Sequence, residues 1–232
     1  FFFKKFAMFH YLSTMRIGTD AVLFAQWVDV KSSDNVLAIG SGAGIIPMIL
    51  SQKGVGVVDA VELDADSYQE AKLNFSISAW NENLNVINTD VRNYADETDE
   101  KYDLIVSNPP YYDSDVKPIK EKKVMARHVS TLNFRDLLIS SKKMMKEDAR
   151  FAVVLPYYES RLFIKEAVSL GFYLQKEFLI SPIEGKDPNR VNMQFVLYEV
   201  EDADTTLFTI RNSDYSYTNQ YKEFLKDYYL DF

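Results

Sequence analysis

Val36-Leu37-Ala38-Ile39-Gly40-Ser41-Gly42-Ala43-Gly44-Ile45-Ile46-Pro47-Met48-Ile49-Leu50 decides the fold of this chain. A short apolar run stops at three glycines on alternate positions, and a second apolar run, 45–52, reads as a helix. Strand, glycine turn and helix together open a βαβ unit. Glycines at such a turn reach backbone conformations closed to other residues and let a ligand approach the main chain. The pyrophosphate-binding pattern G-x-G-x-x-G would need a third glycine at position 45, which is Ile45. The turn therefore suits a ligand without a pyrophosphate, and a dehydrogenase is the least favoured reading.

Working outward, strands are expected at 57–61, Leu84–Asn88, Tyr102–Ser107, 151–155, 172–180 and 193–200, which with 36–39 makes seven. Helices are expected at 65–78, where Tyr68, Ala71, Leu73 and Phe75 form a three- and four-residue stripe, and at 132–145 and 161–170. Strands separated by helices predict an α/β fold, a mostly parallel sheet covered on both faces. The last two strands lack a helix between them and are expected to form an antiparallel edge hairpin. No repeat or linker divides the chain, so 1–232 reads as one domain. Its parts are an N-terminal segment (1–30), a core (31–200) and a C-terminal extension (201–232) whose tyrosine-rich end is expected to dock on the core.

The 232 residues are 47% hydrophobic, enough for a sizeable core. No run reaches the length of a membrane span. Lysines interrupt the apolar N-terminus where a signal peptide would need continuity, so a cytoplasmic location is expected. The first residue is Phe1 rather than Met, and a few leading residues are expected to be missing. With no cysteine and only His10 and His128, thiol catalysis, disulfides and cysteine- or histidine-based metal sites are excluded. Lys and Arg total 26 against 34 Asp and Glu, a net charge of −8, which on average repels nucleic acid.

In an open parallel sheet, ligands bind beyond the carboxyl ends of the strands. Gly40, Gly42 and Gly44 stand at the first such end. Glu62 closes the second strand, about 20 residues on, where a carboxylate accepts hydrogen bonds from a ribose diol. Asp90 follows the third, placed to receive the exocyclic amine of an adenine. Asn108-Pro109-Pro110-Tyr111 follows the fourth. An exocyclic or carboxamide nitrogen is a poor nucleophile because its lone pair is delocalised. Accepting both N–H bonds on the Asn108 side-chain oxygen and the Pro109 carbonyl pulls it toward tetrahedral geometry, and the prolines hold the acceptors rigid. Tyr111 is placed to stack on a planar substrate.

With these residues the chain resembles the class I S-adenosylmethionine-dependent methyltransferases of Rossmann-like fold. Within them it resembles the amino-methylating group marked by Asn-Pro-Pro-Tyr. More narrowly it is similar to the bacterial valine-tRNA adenine-N6 methyltransferases, through Met15-Arg16-Ile17-Gly18-Thr19-Asp20, Asp59-Ala60-Val61-Glu62-Leu63-Asp64, Asp103 to Tyr112, Arg190-Val191, Tyr215-Ser216 and Tyr228-Tyr229-Leu230. The resemblance spans nearly the whole chain. It implies methylation of the exocyclic N6 amine of an adenine in the tRNA anticodon stem-loop, next to the anticodon, without a metal. It also implies a cofactor site in which Gly40 and Gly42 lie under the methionine part, Glu62 on the ribose and Asp90 at the adenine. Arg16, Thr19 and Asp20 would line the amino-acid end, with Asn108 shared between cofactor and substrate. One position departs from the family pattern: two residues before the first glycine, where an acid is usual, stands Ala38, implying weaker cofactor affinity.

Charge is unevenly spread. Lys117, Lys120, Lys122, Lys123 and Arg127 face a single Glu121 just after the catalytic tetrapeptide, and a local basic strip can neutralise phosphates on an acidic body. Lys142, Lys143, Lys146 and Arg150 are expected to extend it, with Lys4, Lys5 and Arg16, and Arg190 is expected at the pocket rim. Two other readings stay open: a protein-glutamine or rRNA amino methyltransferase, and a cofactor-binding RNA-binding module without activity. The oligomeric state is left open.

Overall fold

A computed structural model describes residues 1–13, 17–109 and 132–231. The elements in chain order are α1 (Thr19–Trp27), β1 (Asn35–Ile39), α2 (Ile45–Gln52), β2 (Val57–Glu62), α3 (Ala65–Ser76), β3 (Leu84–Asn88), α4 (Val91–Glu97) and β4 (Tyr102–Ser107). They continue as α5 (Phe134–Met144), β5 (Met145–Pro156), α6 (Tyr157–Ser169), β6 (Tyr173–Ile183), β7 (Arg190–Val196), β8 (Asp204–Arg211) and α7 (Asn219–Leu225).

The strands form one sheet in the order β3-β2-β1-β4-β5-β7-β6-β8. β1 pairs in parallel with β2 and β4, so chain direction switches beside β1 and opens a crevice above its carboxyl end. Alternation along β1 divides the core. Val36 and Ala38 pack with α1, α2 and the C-terminal tyrosines, whereas Leu37 and Ile39 pack with α5 and α6. Helix starts follow local chemistry. The side chains of Asp64, Asp90, Asn133 and Thr218 each accept a main-chain N–H from the first turn of α3, α4, α5 and α7.

The sheet has eight strands where seven are expected. β8 lies in the segment read as an extension and pairs in parallel with β6, so the β6–β7 hairpin is antiparallel but covered on its outer side. β-Branched Thr205, Thr206, Thr209 and Ile210 carry the signal for it, muted because an edge strand keeps a polar, exposed face. α1 and α4 are further elements that the sequence reading passes over. β5 also starts earlier than expected, at Met145, through an irregular pairing with β4. On α3 the buried residues are Ser67, Glu70, Ala71, Asn74 and Phe75, while Leu73 is exposed. The inward face is thus partly polar, not the aromatic and aliphatic stripe that the spacing suggests.

As expected, the C-terminal end docks on the core. Phe208 of β8 is 1% exposed, with its ring centroid 5.0 Å from Phe178 and 5.3 Å from Phe224. Replacing Phe208 with Ala leaves a cavity there and should cost about 3–5 kcal/mol in denaturant unfolding. A loss below about 1 kcal/mol would show that β8 is not integral to the core.

Candidate active site

A cavity of about 600 Å³ lies over the carboxyl ends of β1, β2, β3 and β4. Its wall includes Ile17, Gly18, Asp20, Gly40–Ala43, Glu62–Ala65, Ser67, Thr89–Val91, Asn108 and Leu132. Of the expected site residues, Asp20, Gly40, Gly42, Glu62, Asp90 and Asn108 are thereby brought together.

Main-chain hydrogen bonds hold the glycine turn. Gly40 N–H donates to the Val61 carbonyl at 2.9 Å, and Gly44 N–H to that of Ser41 at 2.9 Å. Gly44 has φ +95°, and a Cβ there would lie 2.5 Å from the buried Phe75 ring. Left-handed strain and steric overlap act together at this position. Gly44→Ala should therefore lower stability by more than about 2 kcal/mol. Thermal melting at the parent's midpoint would refute the close approach.

Glu62 joins two elements. Its Oε2 accepts Gly42 N–H at 2.8 Å and its Oε1 accepts Asp64 N–H at 2.9 Å. A carboxylate has about four acceptor positions, so Glu62 keeps capacity for a diol while fixing the turn. Asn88 donates to the Glu62 carbonyl at 2.8 Å and steadies the end of β2.

Asp90 lies on the cavity wall with an unexpected partner. Arg92 Nε donates to Oδ1 at 2.9 Å, its Nη2 to Oδ2 at 2.5 Å, and its main-chain N–H to Oδ1 at 2.8 Å. These hydrogen bonds from Arg92 hold the Asp90 carboxyl below its ordinary range, against a smaller opposing effect of burial. Arg92 also reaches Asp136 at 3.3 Å. Stability gained by a depressed carboxyl is present above the ordinary carboxylate range and is lost as pH falls through the folded value. The thermal midpoint of the parent should exceed that of Arg92→Met at neutral pH, and the gap should shrink in acid. A gap unchanged from pH 7 to about pH 3, below the ordinary Asp value, would rule the pairing out.

Thr19, expected at the amino-acid end, is not on the cavity wall. Its side chain lies close to the Tyr221 and Tyr229 hydroxyls, where the start of α1 meets the C-terminal segment. Arg190 Nε donates to Asp20 Oδ2 at 2.8 Å, beside the wall but not part of it. Ala38 is 2% exposed, with its methyl in the core and off the wall. Pro109 follows Asn108 within the described residues. Arg16, Pro110, Tyr111, Lys117, Lys120, Lys122, Lys123 and Arg127 lie outside them.

The expected basic extension does not gather at this crevice. Lys143, Lys146 and Arg150 pair with Asp96, Asp103 and Asp34, and Lys142 donates to the Leu170 carbonyl. They stand around the start of β5, at the opposite end of the sheet, where local acids neutralise Lys143, Lys146 and Arg150. Lys4 donates to the Lys226 carbonyl at 2.6 Å, likewise away from the wall.

The donor set fits S-adenosylmethionine. Main chain is exposed at the glycine turn, carboxylates stand at Glu62 and Asp90, and Ile45, Leu63, Val91 and Leu132 supply apolar surface. Among the described residues the buried Ser41 hydroxyl on the wall has no hydrogen-bond partner, an arrangement that a polar ligand relieves. Ser41, on the wall, and Arg92, which holds Asp90, are residues that the sequence reading passes over. Asp-x-Arg spacing is the only sequence trace of Arg92. Among the described residues no cluster of His, Asp and Glu is arranged to hold a metal, and no helix is long and apolar enough to cross a membrane.

A family model for the methyltransferase small domain matches residues 7–153. A Trichodesmium erythraeum protein named tRNA1(Val) (adenine(37)-N6)-methyltransferase is 33% identical over 100% of this chain and 98% of its own. Proteins of the same name from Parabacteroides distasonis and Proteus mirabilis are 31% and 32% identical, each over 99% of this chain and over 97% and 93% of their own lengths. The chain belongs to the tRNA1(Val) (adenine(37)-N6)-methyltransferase family. Solved structures agree on the fold. A predicted O-methyltransferase from Agrobacterium tumefaciens superposes with a TM-score of 0.66 at 17% identity, covering 90% of this chain and 96% of that one. The glycopeptide N-methyltransferase MtfA complexed with S-adenosyl-L-homocysteine has a TM-score of 0.53 at 12% identity, over 72% and 84%.

Proposed function

We propose that the protein methylates the exocyclic N6 amine of an adenine in tRNA, the one next to the anticodon in the stem-loop of valine tRNA, and does so in the cytoplasm. The observation that carries this reading is Asn108, just past the end of β4 and followed by Pro109, on the same cavity wall as the glycine turn, Glu62 and Asp90. The family relationship supports the RNA substrate. The Lys117–Arg127 run supports contact with its phosphates.

S-adenosylmethionine supplies the methyl group, activated on a sulfonium. The glycine turn, Glu62 and Asp90 bind and orient it. Asn108 accepts one N–H of the adenine amine on its side-chain oxygen, and the Pro109 carbonyl accepts the other. Both acceptors favour a nitrogen whose lone pair points at the methyl group. As the nitrogen takes the methyl, the carbon–sulfur bond would break with its electron pair left on sulfur, S-adenosylhomocysteine would leave, and the nitrogen would give one proton to solvent. Pro110 restricts the backbone beyond Pro109, and Tyr111 supplies a ring for stacking on the base. An anticodon-loop base is already unpaired, so little energy is needed to present it. Catalysis is then chiefly positioning.

The protein incubated with labelled S-adenosylmethionine and unmodified tRNA should yield labelled N6-methyladenosine. Label recovered only from a total-protein substrate, or cofactor binding without any transfer, would sink the proposal. Asn108→Ala should lower the transfer rate by about 10²–10³-fold, the usual effect of losing one preorganised hydrogen-bonding group, with cofactor affinity nearly retained.

A further inference from the structure

Helix α3 turns a polar face inward. Ser67, Glu70 and Asn74 follow one another at spacings of three and four and so share one side of the helix. They are 2%, 2% and 0% exposed. A buried carboxylate is costly unless its oxygens are hydrogen-bonded. Three successive main-chain donors serve Glu70. The N–H groups of Tyr11 and Leu12 donate to Oε1, and that of Ser13 donates to Oε2 at 2.9 Å.

One turn along, Asn74 Oδ1 accepts Phe9 N–H at 2.7 Å. Its Nδ2 donates to the carbonyls of Phe9, at 2.9 Å, and Ala43, at 2.8 Å. Ala43 belongs to the glycine turn, so one amide bridges the N-terminal segment to the cofactor loop. One turn back, Ser67 Oγ is 3.2 Å from Ser13 Oγ, and Ser67 is on the cavity wall. Ser13 Oγ lies 3.8 Å from where a Cβ on Gly42 would sit.

Phe3, Phe6 and Met8 already secure the start of the chain by apolar burial. The charged anchor is spent further on, at 11–13, shortly before Ile17 and Gly18 reach the cavity wall. An extended chain covers at most about 3.3–3.6 Å per residue, so fixing Ser13 confines Ile17 to within roughly 14 Å of it.

We propose that Glu70 and Asn74 are positioning residues for cofactor binding: they pin residues 9–13 to α3 beside the glycine turn and so set the wall at Ile17 and Gly18. The proposal rests on the cofactor reading above. Glu70→Gln keeps the size but offers one acceptor oxygen to three donors. Glu70→Asp keeps the charge and withdraws it by one methylene.

In calorimetric titration with S-adenosylhomocysteine, Glu70→Gln should raise Kd about tenfold or more, and Glu70→Asp by a smaller factor. The KM for S-adenosylmethionine should rise in step, with kcat at saturating cofactor kept within about twofold. Exchange of the amide hydrogens at 11–13, slow in the parent, should be fast in both variants. Arg150→Met is the control for general destabilisation. It breaks the pair with Asp34 at the far end of the sheet and should lower the thermal midpoint without changing Kd.

A folded Glu70→Gln protein with the parent's Kd overturns the proposal. So does an Arg150→Met protein whose Kd rises as much at equal loss of thermal stability. If Glu70→Gln does not fold, Glu70→Asp decides by the same criteria. A parent that binds no S-adenosylhomocysteine overturns the cofactor reading and this proposal together, whereas binding by the parent separates the two.

Discussion

Two hydrogen bonds to one carboxylate organise the cavity. Glu62 ends β2, yet it holds the N–H of Gly42 from the turn after β1 and the N–H of Asp64 at the start of α3. The register between β1 and β2, with Ile39 opposite Val61, is what brings the carboxylate under the glycine turn. Without this tie, a loop of small residues would sample many conformations, and a ligand would have to order it at an entropic cost. The same side chain stands on the cavity wall. Its structural bonds leave acceptor positions open, so no conflict arises between holding the site and using it.

The same economy recurs around the crevice. Asp90 caps α4 and accepts the Arg92 guanidinium while facing the cavity. Asp20 lines the wall and pairs with Arg190 at the start of β7, which joins α1 to the sheet. A carboxylate that is ionised and fixed by a neighbour before a ligand arrives is a preorganised acceptor, and preorganisation lowers what binding must supply.

The parallel core was legible because its strands are short apolar runs ended by glycine, Glu62, Asp90 or Asn108, and each ending residue is set by position along the chain. What escaped reading depends on partners distant in sequence. Thr19 looks like a wall residue until Tyr221 and Tyr229, some 200 positions later, come to its hydroxyl. Glu70 drew no reading because its donors are main-chain N–H groups of residues 11–13, and a main-chain donor leaves no mark in a sequence. β8 was missed for a different reason. An edge strand needs only one buried stripe, and Phe208 supplies most of it.

Charge shows how a mean misleads at this scale. The lysines and arginine near the start of β5 looked like part of a basic surface, but Asp34, Asp96 and Asp103 meet Arg150, Lys143 and Lys146 there. Those pairs neutralise the amino end of the sheet, far from the cavity. Around the cavity, Asp20 and Asp90 have their own cations, so the wall is less negative than its composition suggests. An overall charge of −8 is therefore compatible with an anionic substrate. Screening at physiological salt limits the reach of surface charge to about 8 Å, so the ion pairs at the opposite edge of the sheet add little to the field at Asn108.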